Sequence, residues 1–188
     1  MGRGKKIVDI ELVVDEAVAL IEEGGVGEFS TRRLASRLGI SAMTLYNYYE
    51  NRGAIIREAL AKGMGLLWEG LPAKVEDWRA KGGSRLGAYR VLAEHLLAFA
   101  VARPQLCRFI LTEGAGGDWI AKDGRIERIC GPESSGEDAE SAVIRRDIYL
   151  FELLAFALAL KVLGGGETAE RFTELVGAGY ELLLARHD

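Results

Sequence analysis

The 188-residue sequence is poor in proline, cysteine and histidine, with three, two and two of each. So few prolines, among many Ala, Leu and Glu residues, favour helices. No Asn-Gly or Asp-Gly hairpin turn lies between alternating β-branched runs. Cys107 and Cys130 are not spaced as a metal-binding pair, which argues against zinc and is typical of free cytoplasmic thiols. We therefore predict an all-α protein without a metal or another cofactor.

The sequence also lacks the marks of a secreted, membrane-spanning or catalytic protein. Its first charges, Arg3, Lys5 and Lys6, run into an amphipathic segment instead of an apolar signal core. The most apolar stretch, residues 139–163, is too short and too charged for a clear membrane span. No nucleophile and base, and no pair of carboxylates, stand at a useful spacing. These absences predict a cytoplasmic protein that is not an enzyme and has no membrane partner.

An overall excess of positive charge is missing too, because the formal net charge is −4. The distribution of charge is nevertheless uneven. Residues 30–52 contain four arginines against Glu50 alone, a local charge of +3, and residues 1–6 also carry +3 from one Arg and two Lys. A short run of arginines is either a solvated helix face or a local footprint for DNA. The basic tail is either a contact to DNA or a solubilising terminus.

The most informative stretch is residues 31–52, TRRLASRLGISAMTLYNYYENR. Apolar residues recur at helix spacing up to Gly39, which can leave a helix through a left-handed cap. Ser41 is a good N-cap for a second short helix, and Leu45 and Tyr49 share its inward face. Two short helices around a glycine turn predict a helix-turn-helix whose second helix enters the DNA major groove.

This segment resembles the DNA-binding signature of the TetR-type (tetracycline-repressor-like) transcriptional regulators. The resemblance consists of the run from Thr31 to Gly39, the sequence Thr44-Leu45-Tyr46, the aromatic Tyr49 and the basic Arg52. The segment departs from the family pattern at Met43, where many relatives have Gly or Pro, and has Arg at position 52 where Lys is usual. The resemblance covers the first quarter of the chain. It implies a three-helix DNA-binding domain, a helical ligand-binding and dimerisation domain, and a homodimer through a four-helix bundle.

Candidate DNA contacts follow from residue chemistry. The Thr31 hydroxyl and the nearby helix amides can meet a phosphate. Arg32 or Arg33 can reach a guanine edge or a phosphate, and the resemblance favours Arg32 for the base. Arg52 is predicted to hold a phosphate at the start of the fourth helix. The complete predicted set is Thr31, Arg32, Arg33, Ser41, Ala42, Met43, Thr44, Tyr46, Asn47, Tyr48 and Arg52.

Apolar periodicity predicts the remaining helices. The first is expected over residues 8–23, ended by Gly24-Gly25, and the fourth over 51–70 as a connector between domains 1–53 and 54–188. Gly63 and Gly65 within the fourth helix indicate either close packing or a bend. The later expectations are a connector over 73–82, helices over 84–103 and 105–113, a loop over 114–138 with at most one short helix and with Trp119 and Ile120 as a docking flap, and helices over 139–163 and 167–186.

The two C-terminal helices are apolar on so many faces that one face is expected to meet a second copy, through residues 139–186. A ligand cavity is expected in the second domain, residues 54–188, which we call the body. The mostly apolar lining of this cavity favours an apolar or aromatic ligand. Each candidate could equally be a core residue. The candidates are Trp68, Tyr89, His95, Phe99, Phe109 and Phe156.

These features together predict a ligand-responsive transcriptional regulator, and more specifically a repressor. As a homodimer it would bind a pseudo-palindromic double-stranded DNA operator, with recognition helices about 34–36 Å apart. A small, mostly apolar effector of unknown identity would release it from the DNA. The alternative is a constitutive DNA-binding protein with no small-molecule effector.

Overall fold

A computed structural model describes residues 8–84, 87–113, 124–130 and 139–187. Within these ranges the chain forms helices and no strand, as predicted. The helices are α1 Ile10–Glu28, α2 Thr31–Arg37, α3 Ala42–Leu45, α4 Arg52–Trp68, α5 Leu71–Ala80, α6 Gly87–Ala102, α7 Pro104–Glu113, α8 Arg125–Cys130, α9 Ala139–Leu163 and α10 Ala169–His187.

Helix α1 begins and ends on residues whose chemistry explains the boundary. The Asp9 carboxylate accepts hydrogen bonds from the amides of Glu11 and Leu12, at 3.0 and 3.4 Å, so Asp9 is the N-cap of α1. Gly25 leaves the helical conformation with φ 76° and ψ 171°. The break predicted at the glycine pair is therefore present, but a further turn continues to Glu28, five residues beyond the predicted end.

Helices α2 and α3 form the predicted helix-turn-helix. Gly39 has φ 63°, in the left-handed region that favours glycine. The Ser41 hydroxyl accepts the amide of Thr44 at 3.1 Å and caps α3. Leu34 of α2 and Leu45 of α3 are both fully buried. The glycine turn, the serine cap and the two buried leucines together fix the angle between the two short helices.

The predicted connector over residues 73–82 is wrong, because most of it is helix α5. Gly70, with φ 77°, separates α5 from α4, and Pro72 lies in the first turn of α5, where a missing amide costs nothing. Trp78 of α5 contacts the segment that leads into α6. Its indole N–H donates to the Ser84 carbonyl at 2.9 Å.

Helix α7 lies between the N-terminal helices and the body, packing against α1, α4 and α6. A Cβ at Gly63 would lie 3.0 Å from the Leu106 side chain and 3.4 Å from Ile110, so this glycine allows close packing of α4 on α7. In the described part of the chain, a Cβ at Gly65 would have no heavy atom within 4 Å. Only Gly63 therefore has a packing role.

The C-terminal helices have nearly the predicted bounds, and both pack on α6. Trp119, Ile120 and most of the predicted loop lie outside the described residues, and α8 is the described part of it. None of the helices within the described ranges has the length and apolarity that crossing a membrane requires.

Candidate nucleic-acid interface

The α2–α3 unit is attached to the rest of the chain through its apolar side. Leu34, Ala35, Leu45 and Tyr49 are buried. The Tyr49 hydroxyl donates to the Glu58 carboxylate of α4 at 2.9 Å, and burial, together with this carboxylate, raises the pKa of Tyr49. The phenol is therefore neutral, and it ties the end of the unit to α4.

The opposite side of the unit is exposed and mostly polar. The Met43 side chain is 74% exposed, and Tyr46 and Tyr48 are also exposed. The hydroxyls of Thr31 and Tyr46 lie 3.2 Å apart, so the structure brings together the start of α2 and the end of α3. The hydroxyls of Ser41 and Thr44 lie 2.9 Å apart. Predicted residues from both helices thus form one continuous surface, which we call the recognition face.

Tyr48 lies at the edge of the recognition face. Its hydroxyl accepts the backbone N–H of Val8 at 3.5 Å. Asn47 is exposed beside it, and Ala42 is partly buried at the start of α3. The chain therefore enters α1 next to the recognition face.

Two of the arginines counted in the local charge of +3 are neutralised by acids of α1. Arg37 pairs with Glu23 at 2.6 Å and with Glu16 at 3.0 Å. Arg33 donates to the Glu28 carbonyl at 3.1 Å and has carboxylates of Glu23 and Glu28 at 4.0 and 3.9 Å. The charge of residues 30–52 alone could not reveal these pairs, because the acids precede the segment in the sequence.

Arg32 differs from Arg33 and Arg37. Its side chain is exposed at the start of α2 and forms no ion pair or hydrogen bond with any of the described residues. Its guanidinium is therefore available to a ligand without first breaking an internal contact. Of the two neighbouring arginines predicted at this position, Arg32 is the better placed for DNA.

Arg52 has an intramolecular role that the sequence did not indicate. Its Nη2 donates to the carbonyls of Val26 and Phe29, at 3.2 and 3.4 Å. The guanidinium carbon also lies 5.4 Å from the centre of the Phe29 ring, a cation–π distance. Arg52 thus holds the connection between α1 and α2 to the start of α4, and its predicted contact to phosphate stays a prediction.

Most of the predicted ligand-binding residues are buried in the core. Trp68, Tyr89, His95, Phe109 and Phe156 are buried, and Phe99 is partly buried against the same core. Each of these residues therefore has the core position that was the alternative to a ligand contact. Their ligand role stays a prediction.

His95 has two hydrogen-bond partners. Its Nε2 lies 2.7 Å from the Leu67 carbonyl, and its Nδ1 lies 2.9 Å from the Lys74 ammonium. A carbonyl only accepts and an ammonium only donates, so the pattern assigns a neutral imidazole protonated at Nε2. Burial lowers the pKa of His95, the Leu67 carbonyl opposes this, and the positive charge of Lys74 lowers it further. Lys74 was not identified from the sequence, since it is one exposed lysine among many.

A groove of about 300 Å³ lies between α9 and α10. It is almost entirely apolar, with one polar edge where the Asp147 carboxylate pairs with Arg146 at 2.9 Å and Arg186 at 3.0 Å. The predicted ligand-binding residues are not among those that line it. The lining residues are Asp147, Leu150, Phe151, Leu154, Gly179, Leu182, Leu183 and Arg186.

The fold and the recognition face define an all-helical protein with an N-terminal DNA-binding helix-turn-helix. Comparison with known proteins identifies the N-terminal region. The model of bacterial regulatory proteins of the tetR family matches residues 13–59. The class D tetracycline repressor of Escherichia coli is 36% identical over 74 residues, which are 37% of this chain and 33% of the repressor. The N-terminal region, residues 13–59, therefore carries the DNA-binding domain of tetR-type bacterial regulatory proteins.

Comparison with solved structures extends over almost the whole chain. A TetR-like transcriptional regulator from Rhodococcus sp. RHA1 has a TM-score of 0.64 at 21% identity, covering 93% of this chain and 94% of its own. FadR from Bacillus subtilis, solved in complex with stearoyl-CoA, has a TM-score of 0.55 at 15% identity, covering 93% and 97%. At these identities the likeness shows a shared fold. The match to the curated repressor spans about a third of that protein's length.

Proposed function

We propose that the chain is a ligand-responsive repressor that binds a pseudo-palindromic operator as a homodimer. Residues 1–53 would form the DNA-binding domain and residues 54–188 the effector-binding and dimerisation domain. The observation that carries the proposal is the recognition face: polar and basic side chains of α2 and α3 exposed together, above leucines that are fully buried.

In the proposed complex α3 enters the major groove. Ser41, Ala42 and Met43 at its start face the base edges, where the exposed Met43 can contact a thymine methyl group. Thr31 and Tyr46, already within hydrogen-bonding distance of each other, present hydroxyls to the backbone. Thr44, Asn47 and Tyr48 complete the contact along α3 and its C-terminal turn.

Arg32 is the main basic contact in this proposal. A guanidinium can bind a guanine edge bidentately or pair with a phosphate. It needs no rearrangement, whereas Arg33 and Arg37 would first have to leave their α1 carboxylates. Arg33 is therefore a secondary contact.

Dimerisation would use α9 and α10. Leu150, Leu154 and Leu182 are exposed around the apolar groove, and exposed apolar patches of this kind mark association sites. Two such helices from each copy make a four-helix bundle with two-fold symmetry. A symmetric dimer would present two recognition faces to the two halves of an operator.

The effector would be a small, mostly apolar molecule bound in the body near the buried aromatic side chains. The FadR neighbour, which shares the fold, was solved with stearoyl-CoA, so acyl thioesters belong in the first ligand panel beside aromatic compounds. An effector would release DNA only if it binds more tightly to the conformation that fits DNA poorly.

Fluorescence anisotropy with a duplex selected from a random library tests DNA binding. Arg32→Ala should weaken binding by about 5- to 150-fold if it reads a base, or reduce the salt slope by about one unit if it contacts a phosphate. Lys81→Ala is the matched control, since it also removes one positive charge but its ammonium pairs with Asp77 within α5, away from the recognition face. Equal losses from both variants would contradict the assignment of Arg32.

A thermal-shift screen of acyl-CoA esters and aromatic compounds tests the effector, followed by anisotropy with each stabilising compound. The proposal expects a compound that raises the melting temperature and lowers DNA affinity. A protein that binds DNA, is stabilised by no compound and is never released would support the alternative, a constitutive DNA-binding protein.

A further inference from the structure

Two adjacent acidic residues in the second half of α1 form ion pairs with different neighbours. Glu22 pairs with Arg103, which joins α6 to α7, at 3.3 Å. The next residue, Glu23, pairs with Arg37 of α2 at 2.6 Å. Successive residues of a helix point about 100° apart, so two adjacent carboxylates can serve opposite neighbours. Helix α1 is thus connected by ion pairs to the body on one side and to the recognition face on the other.

The kink of α1 at Gly25, three residues after Glu22, also lies between two neighbouring parts of the chain. A Cβ at Gly25 would lie 3.2 Å from Oε1 of Gln105, in the first turn of α7. Immediately beyond the kink, the carbonyls of Val26 and Phe29 accept hydrogen bonds from Arg52. The segment from Glu22 to Phe29 therefore contacts Arg103 and the first turn of α7 up to its kink, and the start of α4 beyond the kink.

Two helices, α4 and α1, connect the body to the α2–α3 unit, and α7 contacts both of these routes. The covalent route is α4, which α7 meets where Leu106 packs on Gly63. The second route is α1, against which α7 also packs. A shift of α7 would move both routes together.

We propose that residues 22–29, the end of α1 and its C-cap Phe29, form a bracket through which α7 positions the recognition face, with Arg103 and Glu22 as positioning residues for DNA binding. This inference rests on the proposed function. Neither residue touches DNA; their pair restricts α1, and α1 restricts α2 through Glu23 and Arg37. Loosening the pair lowers the fraction of molecules with a correctly placed recognition face, and apparent affinity falls with that fraction.

The test compares Arg103→Ala, Glu22→Ala, the double variant and the charge swap Arg103→Glu/Glu22→Arg. The pair is partly exposed, with side chains 39% and 32% accessible, so each single variant should weaken DNA binding by about two- to five-fold. The double variant should lose no more DNA affinity than the single variant with the larger loss, and the charge swap should restore affinity. The salt slope should stay unchanged, because no phosphate contact is removed.

Lys81→Ala is the matched control, since it removes an exposed ion pair of α5 with Asp77 at 2.7 Å. It should leave DNA affinity unchanged. Additive losses in the double variant, a swap that does not restore affinity, or a salt slope lowered by about one unit would each overturn the bracket.

Hydrogen–deuterium exchange of the free protein separates this inference from the proposed function. Arg103→Ala should accelerate exchange in residues 26–38 and leave α9 and α10 unchanged, and the swap should reverse the acceleration. Unchanged exchange in 26–38 would overturn the bracket. Failure of the wild-type protein to bind any duplex would instead refute the proposed function, and exchange would still decide whether α7 holds α1.

Discussion

The recognition face and the α9–α10 face are both exposed, but their chemistry is opposite. The recognition face presents Arg32 and a set of hydroxyls around the exposed Met43. The α9–α10 face presents leucines around Gly179, and among the residues that line its groove the charged ones are Asp147 and Arg186 at one edge. The first suits a charged, hydrogen-bonding partner such as DNA, and the second suits another apolar surface.

The comparison teaches that exposure alone does not identify a partner. Both Met43 and Leu182 are 74% exposed, yet Met43 stands among polar neighbours and Leu182 among apolar ones. An isolated exposed apolar residue is ordinary on a protein surface, whereas a contiguous patch marks association. The neighbours of each residue therefore decide its role.

The largest expected effect separates the buried and exposed sides of α3. Leu45→Ala should lower the free energy of unfolding by about 2–5 kcal/mol, because Leu45 is 0% exposed and its removal leaves a cavity. Met43→Ala, two residues earlier, should change it by less than about 0.5 kcal/mol. Chemical denaturation measures both. Similar losses would mean that Met43 is not a surface residue.

The next effect concerns the α9–α10 face. Leu182→Glu should weaken self-association by about 1–3 kcal/mol, because it would bury an unpaired carboxylate between two copies. Sedimentation equilibrium measures the association constant. Val101→Glu is the control, since Val101 is also exposed but lies on α6, away from the groove. Equal weakening by both variants would show that the groove is not the contact between copies.

The features that the sequence predicted are those determined by neighbouring residues. Gly39 and Ser41 sit where turn and cap chemistry require them, and Leu45 and Tyr49 pack inward, because each depends on residues a few positions away. The α5 helix was missed because its mixed polar sequence has little periodicity.

Features that depend on distant residues could not be predicted. The pairs of Arg37 with Glu16 and of Arg103 with Glu22 join residues whose meeting depends on helix packing. Arg52 matched a family pattern, yet its hydrogen bonds to the carbonyls of Val26 and Phe29 appear only in three dimensions. A motif thus locates a functional segment without distinguishing residues that contact the partner from residues that hold the segment.

A smaller effect tests the contact between α4 and the body. Gly63→Ala should lower the free energy of unfolding by about 1 kcal/mol, because overpacking against Leu106 outweighs the gain in helix propensity. Gly65→Ala should raise it by about 0.5–1 kcal/mol, since its site is open. Thermal and chemical unfolding compare the two. Stabilisation by both would show that α7 can move away from Gly63 without cost.

The smallest effect is a pH dependence from His95. Burial and the positive charge of Lys74 disfavour the imidazolium, so the folded-state pKa of His95 lies below its ordinary value of 6.5. As the pH is lowered towards and below 6.5, the unfolded state therefore binds the proton first, and the free energy of unfolding should fall until the folded-state pKa is passed, with a slope of less than one proton per molecule. Well above pH 6.5, where neither state binds the proton, His95 contributes no slope. His95→Gln, which keeps an N–H for the Leu67 carbonyl without titrating, should flatten the curve of unfolding free energy against pH between 5 and 6.5. An unchanged slope would mean that Lys74 moves away on protonation and that the imidazolium is tolerated in the core.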